Sequence, residues 1–185
     1  TQSRSSAASD VYKRQPGMVI NAEVLDKALS SASAEEGPRI YLSPRGIKFD
    51  QAFAKDLSKE QGAIFICGRY EGVDERFLTY NNVIEVSVGD FILSGGEIGA
   101  QLMIDATVRL LPNVIGNSIG LVEESFENNL LEYPLYTYPR VWNELEVPEV
   151  LLSGDHKRIK KWKTEMSEKI TKSKRPDLWS KYIKS

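Results

Sequence analysis

Three glycine-bearing segments place reactive side chains beside backbone that can approach closely. Ser94-Gly95-Gly96 lies between the apolar tripeptide Phe91-Ile92-Leu93 and Glu97, which opens a periodic stretch closed by Pro112. Adjacent glycines let the main chain pass close to a ligand or to another strand. A helix starting at Glu97 adds unpaired N–H groups and a partial positive charge, which favours an anionic or carbonyl-rich ligand. A turn that only redirects the chain is the competing reading. Neither GxGxxG nor GxxxxGK[ST] occurs, so the segment matches no dinucleotide fingerprint or P-loop. Gly68-Arg69-Tyr70-Glu71-Gly72 adds a ring and a carboxylate between two glycines, and Leu42–Gly46 carries Pro44 and Gly46. Each could be a plain turn; three together support a shared site better than one. Beyond Glu97, Gln101, Asp105 and Arg109 share a polar line at helical spacing. Asp105 and Arg109 read either as an exposed pair worth about 0.3–0.5 kcal/mol or as an arginine held towards a substrate oxygen.

These segments need elements to hold them. Arg39–Pro44 predicts a short strand, Asp50 caps a helix running to about Gln61, and the apolar run Ala63–Cys67 suits a buried parallel strand. Strand, helix and strand at this spacing form a βαβ unit, and ligands sit outside the carboxyl ends of such strands. Further helices are expected at about 22–33, capped by Asn21, and at 73–80, with a strand at Val83–Val88. On the helix from Glu97, Ile98, Leu102, Ala106 and Leu110 form one apolar line. Residues 116–129 read as a polar interdomain linker and 130–148 as ordered but irregular. A helix capped by Asp155 follows, with Ile159, Trp162, Met166 and Ile170 on one face. The expected domains are thus 16–115 and 130–185, joined by that linker, with 1–15 disordered or foreign to the fold.

Composition narrows the function classes. A chain of 185 residues with 41% hydrophobic content can bury a good core. No apolar run approaches the roughly 20 residues of a membrane span, and residues 1–15 lack the apolar region of a signal peptide. One cysteine, Cys67, and one histidine, His156, argue against a disulfide framework and a His/Cys metal cage, and suit a cytoplasmic protein. From His156 to Ser185 there are eleven Lys/Arg and three Asp/Glu; the rest carries thirteen basic and twenty-three acidic residues. A basic segment on an acidic body suggests a polyanion-binding arm, against the alternative of a solvated lysine-rich helix.

Six blocks then stand in order: YLSPRG (41–46), CGRYEGVDER (67–76), SVGDFILSGGE (87–97), IDATVRLLPNVIGN (104–117), ESFENNLLEYPLYTYP (124–139) and VPEVLLSGDH (147–156). From about Pro16 onward the chain resembles the bacterial tRNA (guanine-N1)-methyltransferases, the TrmD-type members of the SPOUT superfamily. The resemblance implies an α/β fold whose parallel sheet ends in a deep trefoil knot, followed by a small, mostly helical domain that binds tRNA. It implies a cytoplasmic homodimer with active sites shared between chains. It implies S-adenosylmethionine as methyl donor, held by Tyr41, Leu42, Ser43, Pro44 and Gly46 of the first loop and Gly68, Tyr70 and Glu71 of the second. The third loop would contribute Val88, Gly89, Asp90, Phe91, Ile92 and Leu93, then Gly95 and Gly96.

The implied reaction is methyl transfer to N1 of the guanine just 3′ of the anticodon. A base must take the N1 proton, and a donor must meet charge building on O6. By resemblance Arg109 takes the second role. Glu124 stands where the family has its basic aspartate, with Glu123 as the neighbouring alternative; Mg2+ is implied for the reaction, with no metal ligands marked in the sequence. Family members carry a strand, a helix and another strand before the segment matched at Pro16–Met18. The chain as written is therefore expected to be poorly stable and weakly active, the alternative function being that of an inactive RNA-binding fragment. If the basic segment contacts phosphates, tRNA affinity should fall steeply between about 50 and 200 mM salt in a filter-binding titration. An affinity indifferent to salt would remove the segment from the binding surface.

Overall fold

In the first part of the chain Arg39–Lys48 (β1) is the central strand. It pairs in parallel with Ile64–Ile66 (β2) on one side and Ile84–Ser87 (β3) on the other. The structure is a computed structural model that describes residues 18–32, 37–69, 71–114 and 124–184. It divides into two units, Thr1–Ile115 and Gly116–Ser185.

Alternation along β1 builds two cores. Ile40 is fully buried with Val86, Leu57 and Met103, against the helices Gln51–Leu57 (α2) and Glu97–Val108 (α4). Tyr41, one residue on, is buried on the opposite face with Phe77 and Leu78, where Glu75–Tyr80 (α3) and Ala22–Ser31 (α1) pack. The first unit is therefore a parallel sheet with helices on both faces, as continuous apolar strands require. Each fully buried aliphatic side chain contributes about 1.5–3 kcal/mol.

The helices begin where side chains can satisfy free N–H groups. Asn21 accepts from the Glu23 amide at 2.7 Å, Asp50 from Phe53 at 3.0 Å, and Asp74 from Arg76 at 2.9 Å. Gly96 precedes α4 without a side-chain cap. The core-facing side of α4 differs from the expected line. Gly99, Ala100, Met103 and Thr107 are buried, whereas Ile98 and Leu102 are exposed. Gly99 lies closest to the sheet, where a β-carbon would stand 3.2 Å from Leu42 Cδ1, and Met103 fills the core further along the same face. On α1, Leu25 and Leu29 pack inward while Val24 is exposed.

The second unit is mostly helical. His156–Lys174 (α6), capped by Asp155, packs against Glu149–Leu152 (α5) and Pro176–Tyr182 (α7). Sequence reading anticipated α6 but not α7, which Pro176 opens at a permitted first-turn position. Thr171, fully buried on α6, donates to the Ser167 carbonyl at 2.7 Å and accepts from the Leu131 amide at 2.8 Å, anchoring the irregular segment. Within that segment Val141–Trp142 (β4) and Leu145–Glu146 (β5) form a small antiparallel hairpin.

Asp74 gives a test of capping. Hydrogen bonds from Arg76 hold its carboxyl at about 2, below its ordinary value of 3.8. A depressed pKa contributes stability above the unfolded-state value and loses it as pH falls through the folded value. Asp74→Ala should cost about 1 kcal/mol at neutral pH. In urea titrations the gap from wild type should close between about pH 4 and pH 2; a gap constant over that range would contradict it.

Candidate functional site

The first loop is a bulge within β1. Leu42 and Ile47 both pair with Val86, so the chain extrudes residues 43–46 and returns to the same strand at Ile47 and Lys48. The strand therefore resumes beyond Pro44, where sequence reading ended it. Gly46 makes the return possible. A β-carbon there would overlap the backbone of Glu85 and Val86. Phe49 then closes the exit by donating its amide to the Ser87 carbonyl at 2.8 Å.

The second and third loops meet beside it. Arg69 and Gly95 form an antiparallel bridge, and the Gly96 amide donates to the Gly68 carbonyl at 3.1 Å. A β-carbon on Gly96 would come within 3.0 Å of Cys67 Cα and 3.3 Å of the Gly68 nitrogen. Gly89 has φ of +152°, which favours glycine, and Ser87 Oγ both accepts from its amide and donates to its carbonyl. Met18 and Ile20 bond to Glu71, Gly72 and Asp74 through the main chain and brace the outside of the second loop.

Together the loops enclose a cleft of about 270 Å3 at the carboxyl ends of the strands. Of the expected contributors, Tyr41, Leu42, Ser43 and Pro44 line it from the first loop and Gly68 and Glu71 from the second. Val88, Gly89, Phe91, Ile92, Leu93, Gly95 and Gly96 line it from the third. Gly46 and Asp90 are not among its lining residues, and Tyr70 lies outside the described residues. Gly46 acts one step back, at the base of the bulge. Arg69, Gly72, Val86, Ser87 and Ser94 also line the cleft. They sit within or directly beside the glycine segments, a position that marks them in the sequence once the loops are seen to converge.

Charge at the mouth is paired. Arg69 Nε donates to Glu97 Oε1 at 2.8 Å, with Nη2 at 2.7 Å from the same oxygen. The Glu97 carboxyl lies below its ordinary range, first through its own backbone amide and then through Arg69. Burial, and secondarily the Glu97 charge, pushes the Cys67 thiol up, so it rests as a neutral group behind the loop. The Tyr41 hydroxyl is likewise raised, by burial first and Glu85 second. The cleft thus offers apolar side chains, backbone groups at glycines and few unpaired charges among its described residues, which suits a ligand held mainly by shape and main-chain hydrogen bonds.

Arg109 is the half-buried residue that ends α4, its amide donating to the Asp105 carbonyl at 3.3 Å. Glu124 belongs to the second unit and is half-buried; Glu123 lies outside the described residues. Residues 124–129, expected as linker, form a pinned turn. Ser125 Oγ accepts from the Glu132 amide at 3.0 Å, and the Phe126 amide donates to the Leu130 carbonyl at 2.7 Å. Phe126, Asn128 and Asn129 all have positive φ. Among the described residues no group of three or more His, Cys, Asp or Glu could hold a metal ion.

Comparison with known proteins converges on one family. The family model for tRNA (Guanine-1)-methyltransferase TrmD matches residues 1–181. The chain is 55% identical over 170 residues to the tRNA (guanine-N(1)-)-methyltransferase of Pelagibacter ubique, covering 91% of this chain and 74% of that relative. The protein of the same name from Rhodospirillum rubrum is 48% identical over 167 residues, covering 90% and 70%. That of Cereibacter sphaeroides is 51% identical over 172 residues, covering 90% and 69%.

Two glycine substitutions should separate backbone contact from side-chain contact. Gly46→Ala meets backbone that cannot yield and should destabilise the chain by about 1–3 kcal/mol. Gly99→Ala meets only side-chain atoms, Leu42 Cδ1 and Cγ at 3.2 and 3.3 Å and Val88 Cγ2 at 3.6 Å, and gains helix propensity of about 0.5–1 kcal/mol, so it should be close to neutral. Equal losses in denaturant titrations would contradict this account of the bulge.

Proposed function

The chain belongs to the tRNA (guanine-1)-methyltransferase family, and from that premise we propose that it methylates N1 of the guanine just 3′ of the anticodon of tRNA, using S-adenosylmethionine. The observation that carries the reading is the convergence of the three loops on one cleft at the strand ends. The cleft fits the donor in kind. Its volume is near the roughly 300 Å3 at which ligand clefts begin, and glycines leave backbone groups open to an adenine edge. Leu42, Val88, Phe91, Ile92 and Leu93 supply apolar contact. S-adenosylmethionine, when bound, supplies an electrophilic methyl group on a sulfonium.

The chain's own residues do the rest. Glu124 takes the N1 proton as the new N–C bond forms, and Arg109 stabilises the negative charge left on O6. Glutamate in place of the family aspartate keeps the carboxylate and lengthens its reach by one methylene. Several features support the remaining reading of a cytoplasmic, knotted homodimer with shared sites. Main chain approaches main chain closely at Gly46, where a β-carbon would overlap, and at Gly96, where it would stand 3.0 Å from Cys67 Cα, as a threaded knot would need. Ile92 and Ile98 are 81% and 63% exposed, and with Phe91 and Leu102 they leave an apolar surface that a second copy would cover. No helix among the described residues is long and apolar enough to cross a membrane. The lysine-rich α6 supplies positive charge for tRNA phosphates.

Single-turnover assays with tRNA test the assignment. Glu124→Gln should slow methyl transfer by about 10²–10⁴-fold and Arg109→Ala by about 10²–10³-fold, with S-adenosylmethionine affinity retained in both. Unimpaired transfer in either variant would overturn the role given to that residue.

A further inference from the structure

Arg45 is not among the residues that line the cleft, yet it touches the supports of its loops. It sits within the extruded segment 43–46, next to the cleft-lining Ser43 and Pro44, and its amide donates to Ser43 Oγ at 3.3 Å. Its guanidinium forks onto Glu85 of β3, Nε to Oε2 at 3.1 Å and Nη2 to Oε1 at 3.0 Å. The same Nη2 reaches Glu75 Oε2 at 2.7 Å. Glu85 lies on the strand that feeds the third loop, and Glu75 is the first residue of α3, directly after the second. One planar side chain thus ties the first loop to the elements that carry the other two.

We infer that Arg45 is a positioning residue that fixes the bulge, and with it the Ser43–Pro44 wall, in the shape that accepts the methyl donor. The inference rests on the assignment of S-adenosylmethionine to the cleft. Stability is not its main effect. The Arg45 and Glu75 side chains are 60% and 63% exposed, and a pair so exposed adds little to folding; Glu85, at 24%, is the better-shielded partner of an arginine that itself stays in solvent. Geometry is the reason for arginine. A bidentate fork sets direction as well as distance, which a lysine ammonium does not. The segment needs such a tie because four residues leave the ladder between Leu42 and Ile47.

The test uses calorimetry with S-adenosylmethionine and amide hydrogen exchange on the unliganded protein. Arg45→Lys keeps the charge and loses the fork; Glu85→Gln removes the forked carboxylate and guards against a folding defect in the first variant. Both should weaken S-adenosylmethionine binding roughly tenfold, equivalent to about 1.4 kcal/mol. Exchange at residues 43–46 should quicken while that of Ile40 stays slow, with Tm within about 2 °C of wild type. Unchanged affinity in both variants, with wild-type binding intact, would overturn the role of Arg45 and leave the cleft assignment standing. A wild-type protein that binds no S-adenosylmethionine would overturn the cleft assignment and this inference with it.

Discussion

At Gly46 a β-carbon would overlap other main chain, and at Gly96 it would stand only 3.0 Å from Cys67 Cα. These two approaches govern the rest of the site. At Gly46 the extruded segment returns onto β3, so β1 stays a single paired strand on both sides of a four-residue excursion. At Gly96 the third loop closes against Cys67 and Gly68, so α4 starts beside the end of β2. Packing density in a protein interior leaves no slack for an added methyl at such points. The cleft is shaped less by the side chains that line it than by how closely its walls are allowed to come.

Around that backbone constraint, charges act as ties between loops more than as sources of stability. Arg69 with Glu97 joins the second loop to the third, and Arg45 with Glu75 and Glu85 joins the first to the supports of both. Arg45, Glu75 and Arg69 are largely exposed, whereas the Glu97 and Glu85 side chains are 45% and 24% exposed, and exposed ion pairs contribute little free energy. Their value lies in fixing relative position, which is what a site built from loops needs most. The interior is left to apolar contact on the two faces of β1, with Ile40 serving one and Tyr41 the other.

Much of this was legible in the residues. The run Ala63–Cys67 between glycines announces a parallel strand, which at the edge of the sheet is half-buried rather than buried, and the glycine segments announce the three loops. Other features resisted reading. Periodicity alone favours the Ile98–Leu102 line as the buried face of α4, because apolar size is visible in sequence and the tight approach to Leu42 is not. The hairpin at Val141–Glu146 lacks the usual asparagine–glycine signal. It turns instead on Asn143 and Glu144, both with positive φ, which glutamate rarely adopts. The bulge was hidden for a similar reason. Pro44 and Gly46 end most strands, and only the register against Val86 shows that this one resumes. The family resemblance, by contrast, was carried by long blocks whose chemistry no local pattern would have disclosed.

The proposed binding surface for the methyl donor is formed by the three loops together. Amide hydrogen exchange with and without S-adenosylmethionine addresses it most directly. The account predicts joint protection of residues 41–46, 68–72 and 86–96 at donor saturation, with the hairpin at 141–146 unchanged. Protection confined to a single loop, or none in any of the three, would contradict it.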